Sequence, residues 1–296
     1  MSLKEDILRA ARRAQTSLGN AAGLVAAFVR TQADPGGGYR DRSGKPDLYY
    51  TVFGLQCALA LGDVPPAATE GYLRSFTDPR TLDLVHATCL ARAWALVQPE
   101  GAPAEISRAI LDRLQDFRSA DGGFNTVTGA ASGSAYGAFL ALGAFQDLGG
   151  EVPDPVALAA SVGSLRMADG GYTNDHALPL SSTPAAVACL TVLCELGESP
   201  MPETVAYFMA RADPSGGLLV AAAAPIPDLL STATGLHALW RAGASLDETS
   251  RLACAGFVAG LATESGGFRG HAADTAADCE YTFYGLLALG HLASDR

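Results

Sequence analysis

Residues 265–290, SGGFRGHAADTAADCEYTFYGLLALG, crowd a histidine, three acids, a cysteine and two tyrosines into a polar stretch that turns abruptly apolar. Asp278 and Glu280 stand two residues apart on either side of Cys279. Such a run has the makings of two chemistries: holding a metal ion, or keeping one carboxylic acid protonated as a proton donor. A plainer reading stands beside them, because acids are favoured in the first turn of a helix, where backbone N–H groups point outward. The run then marks only a solvated helix start.

What must position these residues is visible in four stretches of the same layout: DPGGGYRDRSGKPDLYYTVFGLQCALALG, DGGFNTVTGAASGSAYGAFLALGAFQDLG, DGGYTNDHALPLSSTPAAVACLTVLCELG and PSGGLLVAAAAPIPDLLSTATGLHALWRAG. Glycine pairs begin at Gly37, Gly122, Gly170, Gly216 and Gly266. The first gap is twice the others, so a period of roughly 45 residues, typical of helical-pair repeats, leaves one copy without glycines near FTDPRTLDLVHATCLARAWALVQ. Each pair follows an amphipathic run such as AEISRAILDRLQDFRSA, an outer helix. Each precedes a polar loop and an Ala-, Leu- and Gly-rich run apolar on nearly all sides, a buried inner helix. Gly-Gly after a helix reads as a left-handed terminator and turn. An open solenoid needs polar capping repeats, and neither end of this chain supplies one. The pattern predicts an all-α fold, an α/α (α6/α6) toroid of about six helical hairpins forming a single domain over residues 1–296. Its inner helices line a cavity, with their amino-terminal loops on one rim.

Composition narrows the partners. The chain has 49% hydrophobic and 17% charged residues, enough apolar content for a large core. Its formal charge of -11 argues against nucleic acid or an anionic membrane surface as partner. The six cysteines mostly sit among Ala, Leu and Val without a CxxC pair, which reads as buried free thiols in a reducing compartment. The start, MSLKEDILRAARRAQ, has charges where a signal peptide needs an apolar run, and no apolar stretch is long enough to span a bilayer. A cytoplasmic protein without a transmembrane segment is expected.

The repeat of GGF, a polar loop and YTFYGLLAL resembles the β-subunits of protein farnesyl- and geranylgeranyltransferases and, more distantly, the squalene–hopene type of cyclase, over nearly the whole chain. In the transferases zinc is held by an Asp and a Cys two residues later at the start of one inner helix, and by a His at the start of the next. With Thr282 on the family's hydroxyl position, Asp278 falls on the zinc-binding Asp and Glu280 on the Cys position. KPDLYYT resembles the histidine-bearing segment, with Tyr50 in place of the histidine and Asp47 and Tyr49 on active-site positions. The resemblance therefore implies catalytic places for Asp278, Glu280, Asp47, Tyr49 and Tyr50. It puts a metal at Asp278 and Glu280, where the ligand set suits Mg²⁺ with diphosphate better than Zn²⁺. His86 and His271 are candidate replacement ligands.

On the diphosphate side the family uses an Arg, a Lys and a Tyr, with a His from the preceding repeat. Here His271 stands near the Arg position, Asp274 near the Lys and Asp228 on the His, while Tyr281 is retained. Compensation is expected from Arg40, Arg42 and Lys45, giving a substrate-binding set with His271 and Tyr281; the plain alternative is solvated loop charge. The leading implication is a prenyltransferase β-subunit-like protein binding an isoprenoid diphosphate, with transfer activity altered and an α-subunit-like partner. The alternatives are a class II terpenoid cyclase, with Glu280 on the proton-donor position of its acidic motif, and a non-catalytic binding or scaffold barrel. Aromatics at 7% predict a thin lining for cyclase chemistry.

Overall fold

The computed structural model describes residues 2–98 and 100–293. Two short helices, α1 (Leu3–Arg12) and α2 (Ala14–Leu18), lead into six outer–inner pairs among these residues. They are α3 (Ala22–Gln32) with α4 (Leu48–Leu61), α5 (Thr69–Arg74) with α6 (Leu84–Val97), and α7 (Ala104–Asp116) with α8 (Ala135–Asp147). Then come α9 (Pro155–Gly163) with α10 (Thr183–Glu195), α11 (Pro202–Met209) with α12 (Leu229–Arg241), and α13 (Glu248–Gly260) with α14 (Cys279–Leu292). The six expected hairpins are present, and the copy without glycines reaches α6 through a 3-10 turn at Pro79–Thr81. None of these helices is long and apolar enough to cross a membrane. The six cysteines are free thiols, five of them buried.

Local chemistry explains where the inner helices start. A polar residue in extended conformation precedes each of them, and its side chain accepts a backbone N–H of the first turn: Asp47 from Tyr50, Asp83 from His86, Ser134 from Gly137, Ser182 from Ala185, Asp228 from Ser231 and Asp278 from Tyr281. Each cap of this kind contributes about 1 kcal/mol. The glycine pairs supply the expected left-handed turn, but a few residues beyond the outer helix. They do not cap the outer helix. Gly266 N–H donates to Thr263 O while Thr263 N–H donates to Gly267 O, a type I turn closed by a glycine in the left-handed region. The same pattern recurs at Gly37, Gly122, Gly170 and Gly216.

The contacts divide the chain into two compact units. In the unit of residues 76–210, α6, α8 and α10 lie side by side with α7, α9 and α11 against them. In the unit of residues 3–75 and 211 onward, α12 packs on α14 and α14 on α4, so the last inner helix adjoins the first. Helices α1 and α2, which the repeat pattern did not assign, pack on α14; a β-carbon added at Gly290 would come within 1.8 Å of the Ala10 carbonyl oxygen, and this approach needs glycine. Arg12 Nε and Gln15 Nε2 donate to the α4 carbonyls of Leu59 and Ala60, satisfying acceptors that the helix end leaves open.

Lower in the same unit, His237 Nδ1 lies 3.0 Å from His291 Nε2, with the Trp240 ring stacked on His237. Burial, then the charge of Arg13, pushes the His291 imidazole down to about 4. Burial, then His291 and Arg241, lowers His237 as well. Both folded-state values lie below the unfolded value of 6.5, so protons favour the unfolded chain. This contribution is intact above pH 6.5 and is lost as pH falls from there towards 4. Thermal unfolding followed across that window should show a steep loss of Tm, and the double variant His237→Gln with His291→Gln should show a shallower one.

Candidate functional site

The site assembles where the first and last repeats meet, within one unit. Two short ribbons position it: Tyr39–Arg40 pairs with Pro46–Asp47 ahead of α4, and Phe268–Arg269 pairs with Ala277–Asp278 ahead of α14. In each, a threonine locks strand to helix. Thr282 Oγ1 donates to Asp278 O and accepts from Phe268 N–H, and Thr51 does the same between Asp47 and Tyr39. The hydroxyl position of the repeat is thus a structural latch for the helix start.

Asp278 is 2% exposed and its carboxylate is fully engaged. One oxygen accepts Tyr281 N–H at 2.8 Å and the other accepts Arg42 Nε at 2.6 Å. The Arg42 guanidinium also donates to both Asp274 oxygens, at 2.8 and 3.4 Å, and lies 5.4 Å from the Tyr281 ring centre. Burial alone would raise Asp274, but Arg42 and the N–H groups of Ala276 and Gly270 hold it down to about 2. Glu280, six residues on, goes the other way. Burial raises its pKa, the Asp278 charge adds to this, and the hydrogen bond donated by the Tyr49 hydroxyl at 2.7 Å only partly offsets them. Two neighbouring carboxyls in such different surroundings are the usual origin of separate acid and base roles.

Around Glu280 the rings cluster. Tyr49 meets Tyr50 edge-on at 5.7 Å and Phe53 at 5.0 Å; Phe53 meets Tyr284 at 5.5 Å and Phe283 at 6.0 Å; Tyr284 reaches Tyr281 at 6.3 Å. Tyr49 and Phe53 are four residues apart on α4, as are Glu280 and Tyr284 on α14, and all four side chains are partly exposed. Burial, followed by the charges of Asp278 and Glu280, pushes the Tyr50 phenol up to about 12. The thin lining expected from composition is therefore locally dense, because six of the chain's 22 aromatics sit on these two helices. Phe53 and Tyr284 were missed, though their i, i+4 spacing from Tyr49 and Glu280 marked them.

The other expected residues divide. Tyr281 and Tyr50 join the group through Arg42 and Tyr49. Asp47 caps α4. Arg40 turns to Asp34 at 3.4 Å and to the Thr31 carbonyl. Lys45 is exposed, with its backbone N–H bonded to Asp41. His271 Nδ1 accepts Ala273 N–H, and burial raises the carboxyl of Asp228, the cap of α12. His86 lies in the other unit, bonded to Asp83.

The donor set does not fit a catalytic zinc. Both Asp278 oxygens are taken, Glu280 is bonded to Tyr49, and Cys279 is buried with its thiol pushed up by burial, the Asp278 charge adding. Among the described residues no three or more His, Cys, Asp or Glu side chains gather as a metal site.

The prenyltransferase alpha-alpha toroid domain matches residues 14–79, 75–219 and 183–295, and the chain belongs to that family. Its fold class is accordingly the all-α, α/α toroid of helical-hairpin repeats. The chain is similar in fold to the type II terpene cyclase MstE from Scytonema, with a TM-score of 0.63 and 13% identity over 94% of this chain and 98% of that one. It is similar to the geranylgeranyltransferase-I of Candida albicans complexed with GGPP, with a TM-score of 0.57 and 13% identity over 75% of this chain and 69% of that one. It also resembles ent-copalyl diphosphate synthase from Streptomyces platensis, with a TM-score of 0.52 and 16% identity over 85% of this chain and 52% of that one. No curated protein matches it in sequence.

Proposed function

We propose that the chain is a proton-initiated cyclase acting on an uncharged isoprenoid polyene, with Glu280 as the acid. The observation that carries this reading is the Glu280–Tyr49 pair: a carboxyl raised by burial, hydrogen-bonded on one oxygen and beside a cluster of six aromatic rings. Glu280 gives its proton to a terminal alkene carbon, whose π electrons form the new C–H bond. The carboxylate left behind keeps the Tyr49 hydrogen bond, which strengthens as charge develops. The carbocation is attacked by the next double bond, with ring faces stabilising the moving charge. Loss of a proton to water ends the sequence, so the product is an isomer of the substrate. Type II cyclase MstE, a variant of which has been solved with geranylgeranyl dihydroxybenzoate as substrate, gives this reading fold-level support only.

The second reading, binding of an isoprenoid diphosphate, is favoured by Arg42 and Lys45 near the helix start and by the fold shared with a transferase complexed with GGPP. Mg²⁺ arriving with the diphosphate and an α-subunit-like partner belong to it. The two are separated by incubating the protein with squalene and with geranylgeraniol, and by measuring thermal stabilisation with geranylgeranyl diphosphate, with and without Mg²⁺. Cyclised isomers of unchanged mass are expected. Stabilisation by the diphosphate alone, with no conversion of either polyene, would overturn the first reading in favour of the second.

A further inference from the structure

We propose that Asp274 sets the charge class of the ligand, by occupying Arg42 so that this guanidinium is not available to a ligand's head. The proposal rests on the reading of the site as one for an uncharged isoprenoid and names the residue that excludes the charged ones. Arg42 sits on the loop between Arg40 and Pro46, which Asp41 holds rigid by accepting from Ser43 and Lys45. From there it reaches across to the last repeat and spends its donors on two carboxylates. Its side chain is 39% exposed, so the group is at the surface; what it lacks is spare charge.

The helix starts tell the same story. Backbone N–H groups at a helix amino terminus attract anions, but α4, α12 and α14 of this unit are capped by Asp47, Asp228 and Asp278. In the other unit α6 is likewise capped by an acid, Asp83, while α8 and α10 are capped by the neutral Ser134 and Ser182. A diphosphate approaching Glu280 therefore meets Asp274, Asp278 and Asp228. To use Arg42 it must displace Asp274, whose side chain is only 12% exposed and also accepts from Gly270 and Ala276 N–H.

Asp274→Asn is the direct test: the amide removes the charge, and its one oxygen can keep only one of the Gly270 and Ala276 N–H groups, which bond different oxygens of Asp274. The probes are inorganic pyrophosphate, geranylgeranyl diphosphate and geranylgeraniol, titrated against the full chain at low and moderate salt. For the two anions the variant should gain about tenfold or more in affinity, the scale of one freed charge-assisted contact, and the gain should shrink with salt. Geranylgeraniol should bind both proteins alike. Adding Arg42→Gln to the variant should abolish the gain; a gain that survives it, or no gain in a folded variant, overturns the proposal. Asp274→Glu, which keeps the charge beside Arg42, separates lost charge from altered packing at this position: it should leave anion affinity at the parent level, and a gain equal to that of Asp274→Asn would overturn the assignment. Failure of the cyclase reading looks different: no polyene is converted, while Asp274→Asn still gains the anions.

Discussion

Glu280→Gln is expected to lower formation of cyclised product by roughly 10²- to 10⁴-fold, the range for removing a general acid, with polyene binding nearly unchanged. Gln matches Glu in shape and keeps an oxygen for the Tyr49 hydroxyl, so helix α14 and the aromatic cluster stay in place. Only the proton is lost. The pH dependence carries the sign of the mechanism. Because Glu280 must be protonated to act and its carboxyl is raised by burial, the rate should be highest on the acid side and fall as pH rises through that raised value. Tyr49→Phe removes a hydrogen bond that lowers the Glu280 pKa. Its fall-off should therefore move to higher pH, while the maximal rate drops because the carboxylate left after proton transfer has lost its donor. Steady-state rates across pH for the three proteins check this. A Glu280→Gln variant as active as the parent would show that the proton comes from elsewhere.

How much of this was legible in the sequence depends on the distance over which each feature is encoded. Helix pairs are local, and the glycine spacing and apolar runs gave six of them at the right places. The meeting of the first and last repeats followed from the lack of capping repeats, and it put Tyr49 opposite Glu280. What could not be read was which of the charged side chains brought together at that meeting pair with one another. Arg42 looked like a cation available for phosphate, and only the folded chain shows Asp274 and Asp278 holding it. The aromatic cluster was hidden in a different way, since an average over the chain says nothing of where rings gather. Helices α1 and α2 were missed because they stand outside the repeat, and their docking against Gly290 has no periodic signature.

Gly266→Ala is expected to be strongly damaging to the unit that carries the site. Gly266 has φ of +97°, which side-chain-bearing residues adopt at a cost of about 1–2 kcal/mol. A β-carbon there would also lie 2.5 Å from the Leu24 carbonyl oxygen on α3, which belongs to the first repeat. Backbone cannot yield as a side chain tip does, so overpacking adds about 1–3 kcal/mol. At about 2–4 °C per kcal/mol for a chain of this size, Tm should fall by roughly 5–15 °C. Gly256→Ala is the matched control: it lies within α13, exposed, with nothing within 4 Å of the added carbon, and should be neutral or stabilise by up to about 1 kcal/mol. Calorimetry on both variants separates loss of flexibility from steric conflict. Equal Tm values would show that the turn accommodates a side chain and that the seat of the last repeat on α3 is soft. A large fall at Gly266 alone has a functional corollary. The same seat sets α14 against α4, so a shift there moves Glu280 away from Tyr49 and should reduce turnover even below the new Tm.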